Sequence, residues 1–305
     1  MAKPGTGMAK PAVAGRKRQP RYAWEVAGPH RLPIAALALA AILLATSSAQ
    51  ALVVAGDSTN EQAPPNDPGW THVGRLGTVT GIYLGGGWVL TASHAGLRDL
   101  VIGDATYPAV PDSRIKLDMP GQPQIQSDVA LFRVDPAPDL PPLELQREAP
   151  ETGTPALLVG LGQSRGAPYA GTAGWNWKQG RVRRWGTNEI SRVGFDLAGP
   201  GKRLTRCFRM NFDRDGTPHE AQAAKGDSGG AVFLWDGQAY QLGGIMISIG
   251  YARGQAPDTA LFGNFTNAVD ISQYVPQIEA AMQGKTQPTP ETRPAPKAPS
   301  GAPAP

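Results

Sequence analysis

The run Gly226-Asp227-Ser228-Gly229-Gly230 places a serine between an aspartate and two glycines, directly ahead of the apolar stretch Ala231 to Leu234. Gly, Asp and Ser are ordinary turn residues, so the string suits a turn that feeds a strand as well as a nucleophile held on a tight bend. A serine hydroxyl becomes a nucleophile only when a base lies within hydrogen-bond reach and a third group orients that base. Bases are scarce: of the four histidines, His30 lies in a basic N-terminal stretch, which leaves His72, His94 and His219. Only His94 follows directly on a strand-like run, Trp88 to Ala92 in "GGGWVLTASHAG", which would hold it at a fixed exit point. Asp128 opens "DVALFRV", where apolar neighbours would partly desolvate its carboxylate and make it expensive unless paired. Taken singly, each residue also has a plain structural reading, a surface histidine after a strand and a strand-capping aspartate.

Chain order discriminates among hydrolase designs. A Gly-x-Ser-x-Gly elbow on an α/β sheet requires its histidine after the serine, and no histidine follows Ser228. The order His94, Asp128, Ser228 is that of the chymotrypsin type. The strings "GGWVLTASH", "DVALFRV" and "KGDSGGAVF" resemble the His, Asp and Ser motifs of the chymotrypsin/trypsin-like serine protease family, and "DPGWTHVGRLG" and "EAQAAKGDSGG" are similar to its secreted bacterial, disulfide-free members. The resemblance spans about residues 52–283.

It implies a peptide or protein substrate, with Ser228 as nucleophile, His94 as general base and acid, and Asp128 fixing the imidazole tautomer. It also implies an oxyanion hole made by the backbone N–H groups of Gly226 and Ser228, and an extended substrate bound along Ser248, Ile249 and Gly250. The chain departs from the family at several points. Ala95 and Ala224 stand where cysteines are usual, and Gln222 stands where trypsin-like members place the acid that receives Lys or Arg. A neutral residue is therefore expected on the acyl side of the cut bond, unless Glu220 or Asp215 folds back to supply the charge. Family zymogens are activated when a new N-terminus pairs with the acid before the serine, here Asp227. "LVVAGD" is loosely similar to such an N-terminus, and three routes remain open: activity on export with Leu52 first, trimming to Val53, or internal stabilisation of Asp227.

These residues need a scaffold of strands. "TVTGIYL", "WVLTA", "DVALFRV" and "PALLVGL" in one half, and "RVRRW", "VGFDL", "AVFLW", "YQLGGIMISIG" and "LFGNF" in the other, are short β-rich runs divided by Gly and Pro turns. The fold class expected is all-β. With the resemblance it becomes two antiparallel Greek-key β-barrels, about residues 52–150 and 151–283, with a C-terminal α-helix over Asp270 to Met282. The proline-rich stretch from Asp135 to Pro155 is the natural connector between them.

Residues 1–51 read as a signal peptide: a basic region, the apolar run Ile34 to Ala45, and small residues at Ala49 and Ala51. The run is shorter than the roughly 20 residues of a membrane span, so cleavage after Ala51 is expected, with an uncleaved anchor as the alternative. That leader holds seven of the 29 basic residues and one of the 25 acidic ones, leaving 22 against 24. The remainder is near neutral and gives no reason to expect nucleic acid as a partner, or a membrane after cleavage. The one cysteine, Cys207, excludes an intramolecular disulfide and a cysteine metal cluster; no cofactor and no metal are expected. From Gly284 the chain is Pro, Ala, Thr and Lys with little to bury, which reads as a disordered tail. The expectation is a monomeric serine endopeptidase, secreted or periplasmic. A catalytically silent, peptide-binding relative is the competing class, opposed by the complete set of three residues.

Overall fold

The computed structural model of the protein describes residues 51–56, 59–171, 173–286 and 289. Residues 1–50 of the leader and nearly all of the expected tail lie outside the described residues. Two antiparallel β units precede one C-terminal α-helix, as the all-β reading anticipates. The first unit hydrogen-bonds seven strands in the order Ala105–Tyr107, Leu100–Ile102, Val73–Leu76, Val79–Gly85, Trp88–Ala92, Gln122–Arg133, Ile115–Met119. The second is a closed barrel in the order Arg184–Gly199, Arg203–Asn211, Phe265–Asp270, Tyr240–Gly250, Ala231–Trp235, Pro155–Gly160.

Local chemistry explains the joints. The glycines at 85, 86 and 87 all have positive φ (104°, 58° and 83°), a conformation that makes the tight reversal into Trp88–Ala92 accessible. Ile115, Leu117 and Met119 alternate with half-buried residues on the outermost strand of the first unit. The outer side of that strand is covered: Gln277 bonds both the N–H and the C=O of Asp118 (3.0 Å each), and Thr289 bonds the Arg114 carbonyl and the Lys116 amide (2.8 and 3.1 Å). An otherwise unpaired strand edge is thereby blunted.

The motif strands sit close to where the sequence put them, with three instructive differences. Asp128 lies inside the twelve-residue strand Gln122–Arg133 rather than at its start, because the polar segment "QPQIQS" pairs with Ile115–Met119 through two register shifts. "RVRRW" becomes strand only from Arg184, and "LFGNF" is a turn between Thr259–Leu261 and Phe265–Asp270. The expected helix is a 3-10 turn, Ile271–Gln273, followed by the α-helix Val275–Met282. Pro276 sits in the first turn of that helix, where its missing N–H is harmless.

One apolar cluster serves both units. Val73, Ile82, Leu90 and Leu131 from the first meet Val159, Phe233, Ile245 and Val269 from the second, and the C-terminal segment adds Tyr274 and Ile278. The strands Arg184–Gly199 and Arg203–Asn211 run out as a long hairpin whose distal residues alternate half-buried and exposed, and Phe195 and Leu197 pack back against this cluster.

Candidate active site

Trp88–Ala92 is buried along most of its length and ends in a 3-10 turn, Ser93–Ala95, which carries His94. Its neighbour in the sheet carries Asp128. The carboxylate meets His94 twice: Oδ1 accepts the His94 backbone N–H at 2.9 Å, and Oδ2 lies 2.7 Å from imidazole Nδ1. With Nδ1–H donating to that oxygen, Nε2 is left with its lone pair toward the cleft. The histidine side chain is 39 % exposed and the aspartate 16 %, so the base reaches solvent while the acid is largely shielded.

The second unit supports the acid. Thr205 Oγ1 accepts the Asp128 N–H at 2.9 Å, Arg203 Nη1 lies 3.6 Å from Asp128 Oδ1, and Ser127 Oγ donates to the Leu204 carbonyl at 2.9 Å. Behind them the Tyr274 hydroxyl bonds Ser127 Oγ and accepts the Arg206 N–H, and burial pushes that phenol up to about 12. Arg203 and Thr205 were not legible in the sequence, since nothing local ties a strand near residue 204 to the residue before Asp128.

Ser228 faces His94 across a cleft of about 290 Å³, which both residues line with Thr78, Val79, Arg181, Ala223 to Gly226 and Met246 to Ile249. Its turn is strongly constrained. Gly226 and Gly229 have φ of 101° and 83°, and a Cβ at Gly229 would collide with the Thr80 carbonyl and Thr91 Oγ1. The Ser228 carbonyl accepts the Thr80 N–H at 2.9 Å, and the Gly226 carbonyl accepts Thr80 Oγ1 at the same distance. Among the described residues, neither the Gly226 nor the Ser228 N–H donates to a protein acceptor. Two unspent amides, one on either side of Asp227, can receive an oxyanion that develops beside the serine hydroxyl.

Asp227 points away, into the protein. It is fully buried and accepts N–H groups from Gly162 (2.7 Å), Ala224 (2.8 Å) and Leu52, yet burial still raises its pKa to about 7. Gly160 and Gly162 form its cradle, because a Cβ at either would overlap the carboxylate. The signal for this was present in "VGLG", two glycines one residue apart at the end of a strand. Val53 and Val54 pair with Gln222 and Ala221, so Leu52 rather than Val53 is the residue whose nitrogen meets Asp227.

The other expected site residues divide. Ser248 and Ile249 line the cleft, and Gly250 follows them on the strand Tyr240–Gly250. Gln222 is fully buried beside Val53 and does not line the cleft; its side-chain amide has no partner among the described residues. Glu220 and Asp215 do not fold back either. They line a separate cavity, where Glu220 takes the N–H groups of Asp213 and Thr217 and the amide of Asn188, its pKa raised by burial. The cleft wall carries no carboxylate, only the cations Arg181 and Lys225. His72 is buried against Tyr83, and His219 lies edge-on to Trp185, so neither competes with His94. No three carboxylate, histidine or cysteine side chains among the described residues could hold a metal ion together.

A family model described as a trypsin-like peptidase domain matches residues 79–245. Among solved structures, mouse neuropsin, a serine protease, is 20 % identical over 72 % of this chain and 97 % of its own, with a TM-score of 0.50. A variant of human heparin binding protein is 15 % identical over 77 % of this chain and 97 % of its own, also at 0.50. The M. tuberculosis protease Rv3671c, as an inactive Ser-to-Ala mutant, is 18 % identical over 75 % and 99 %, at 0.46. No curated protein matches the sequence.

Proposed function

The chain belongs to the trypsin-like peptidase family and is a hydrolase of the serine-protease type, and from that premise we propose that it is an exported endopeptidase working through an acyl-enzyme on Ser228, His94 and Asp128. The observation that carries this is the doubly bonded His94–Asp128 pair standing across one cleft from a serine on a glycine-shaped turn. Ser228 Oγ attacks the scissile carbonyl carbon as His94 Nε2 takes its proton, and the new imidazolium is held by Asp128. The carbonyl oxygen, now an oxyanion, takes the N–H groups of Gly226 and Ser228. The intermediate collapses when the imidazolium returns its proton to the departing amine. Water then repeats the sequence on the ester, releasing the acid and restoring Ser228.

The cleft wall supports a neutral residue on the acyl side. A Lys or Arg side chain there would be desolvated near Lys225, with no carboxylate among the residues that line the cleft to meet it. Export rests on the basic and apolar pattern of residues 1–51, with cleavage after Ala51. No helix among the described residues is long and apolar enough to cross a membrane.

The test is labelling of the purified protein by a fluorophosphonate, with Ser228→Ala and His94→Ala beside it. Labelling of the native protein that both substitutions abolish supports the assignment. A folded native protein that takes no label would make it a silent binding relative.

A further inference from the structure

The cleft does not end at Arg181. That residue also lines a second cavity of about 590 Å³, shared with Arg75, Arg183, Val101, Asp104 and Leu161. Three arginines thus surround one depression that opens off the cleft holding Ser228 and His94, against a single carboxylate, Asp104. Among the described residues, neither Arg75 nor Arg181 is ion-paired; Arg181 spends one N–H on the Gly77 carbonyl at 3.3 Å. Arg183 stacks over Trp70 and feels Asp67, so it is partly neutralised, and burial lowers its pKa. Arg98 lays its stem beside Gly77, and Lys225 lines the cleft itself.

Position gives this cluster its meaning. On one side of His94 and Ser228 lies the strand ending Ser248 to Gly250, and beyond it a cavity of about 380 Å³ bounded by Asp128, Leu197 to Pro200, Arg203 and Ile247. With the acyl part of an extended substrate on that strand, the part beyond the cut bond is left the side of the cleft lined by Thr78, Val79 and Arg181.

Resting on the peptidase reading above, we propose that Arg75, Arg181 and Arg183 form a binding site for acidic side chains on the leaving side of the substrate, selecting peptides with Asp or Glu within the first few residues after the cut bond. The guanidinium groups offer planar N–H forks that match carboxylate oxygens. Arg181 is exposed and Arg75 and Arg183 are half-buried, so solvent still screens each pair, and two acidic residues acting together should tighten binding by about tenfold at low salt.

The experiment measures equilibrium binding of the leaving-side product rather than turnover. Fluorescent tetrapeptide amides, Ala-Glu-Asp-Ala and its neutral counterpart Ala-Gln-Asn-Ala, are titrated by anisotropy into the Ser228→Ala protein and into the same protein carrying Arg181→Glu. The expected result is a preference of about tenfold for the acidic peptide that shrinks with added salt and disappears or reverses with Arg181→Glu. Equal affinities, no binding of either peptide, or a preference that survives Arg181→Glu would overturn the proposal. Quenched peptides that carry the same two sequences after a mixture of neutral acyl-side residues, offered to the native protein, separate the readings: acidic binding without cleavage would sink the peptidase and leave the site standing.

Discussion

Asp227 sets up a comparison between a chain that begins at Leu52 and the same chain preceded by residues 46–51. In the uncut protein the buried carboxylate takes the amide N–H groups of Gly162, Ala224 and Leu52 and feels the Arg181 guanidinium, yet burial carries its pKa from 3.8 to about 7. A rise of about three units is a penalty of about 4 kcal/mol on the charged form. The sign follows from linkage: the folded protein binds this proton more tightly than the unfolded chain. The contribution is therefore fully favourable below the unfolded value of 3.8, erodes as the pH rises, and is lost above about 7. Cutting before Leu52 turns its N–H into an ammonium group at the same place, and an adjacent opposite charge favours the ionised carboxylate. The chain from Leu52 should hold its melting temperature from about pH 5 to about pH 7.5, while the extended chain should fall by roughly 10 °C relative to it. Thermal unfolding of both across that range decides the matter, with fluorophosphonate labelling at the upper end to report the state of the Ser228 turn. Parallel curves for the two chains, or a steeper fall for the one beginning at Leu52, would refute the reasoning.

Ser228→Ala, His94→Ala and Asp128→Asn should each remove most turnover while leaving the melting temperature within a few degrees, and double substitutions should lose little more than the worse single one. Multiplying losses would show that the three do not act as a unit. Thr80→Val keeps the side-chain shape but takes the partner from the Gly226 carbonyl; stability should fall by about 1–3 kcal/mol in denaturant unfolding. Because the Gly226 N–H would be mispositioned for the oxyanion, kcat should fall more than KM rises, and an unchanged kcat would count against that amide's role. In a peptide library, neutral residues should dominate the acyl side of the cut bond; faster cleavage after Lys or Arg would require an acid in the cleft that the wall residues lack.

What could be read beforehand was whatever is local in sequence. His94, Asp128 and Ser228 each stand in or beside a strand with apolar neighbours, and the strands Trp88–Ala92, Ala231–Trp235 and Tyr240–Gly250 were legible to the residue because each is an apolar run closed by glycine or a polar turn. Ser164–Tyr169, Gly174–Lys178 and Arg203–Asn211 were not, since Arg, Asn, Gly and Pro obscure their alternation and pairing with a neighbour makes them strands. Gln222 stands at the sequence position that the resemblance gives to a pocket acid, but its pairing with Val53 buries it beyond the cleft wall. The arginine cavity was hidden for another reason: overall charge balance averages over the surface, and near-neutrality of the part after residue 51 is compatible with three cations gathered at one place.

The deepest dependence in the site is one that no single motif encodes. His94 and Asp128 belong to the first β unit and Ser228 to the second, so their alignment depends on bonds that cross between units. Thr80 supplies several at once: its N–H goes to the Ser228 carbonyl, and its hydroxyl to the Gly226 carbonyl while also accepting the Leu161 N–H at 3.3 Å. Its own carbonyl takes the Thr91 hydroxyl at 2.8 Å, which fixes it to the strand leading into His94. On the other flank, Thr205 and Arg203 reach from the barrel to Asp128. His94 and Ser228 are therefore located by one buried threonine, and Asp128 by a hairpin strand of the opposite unit. A slip between the two units would break hydrogen bonds on both flanks before Ser228 and His94 parted. Each broken bond would leave a buried polar group unsatisfied, at about 1–3 kcal/mol apiece. That penalty, more than the His94–Asp128 contact itself, keeps Ser228 opposite His94.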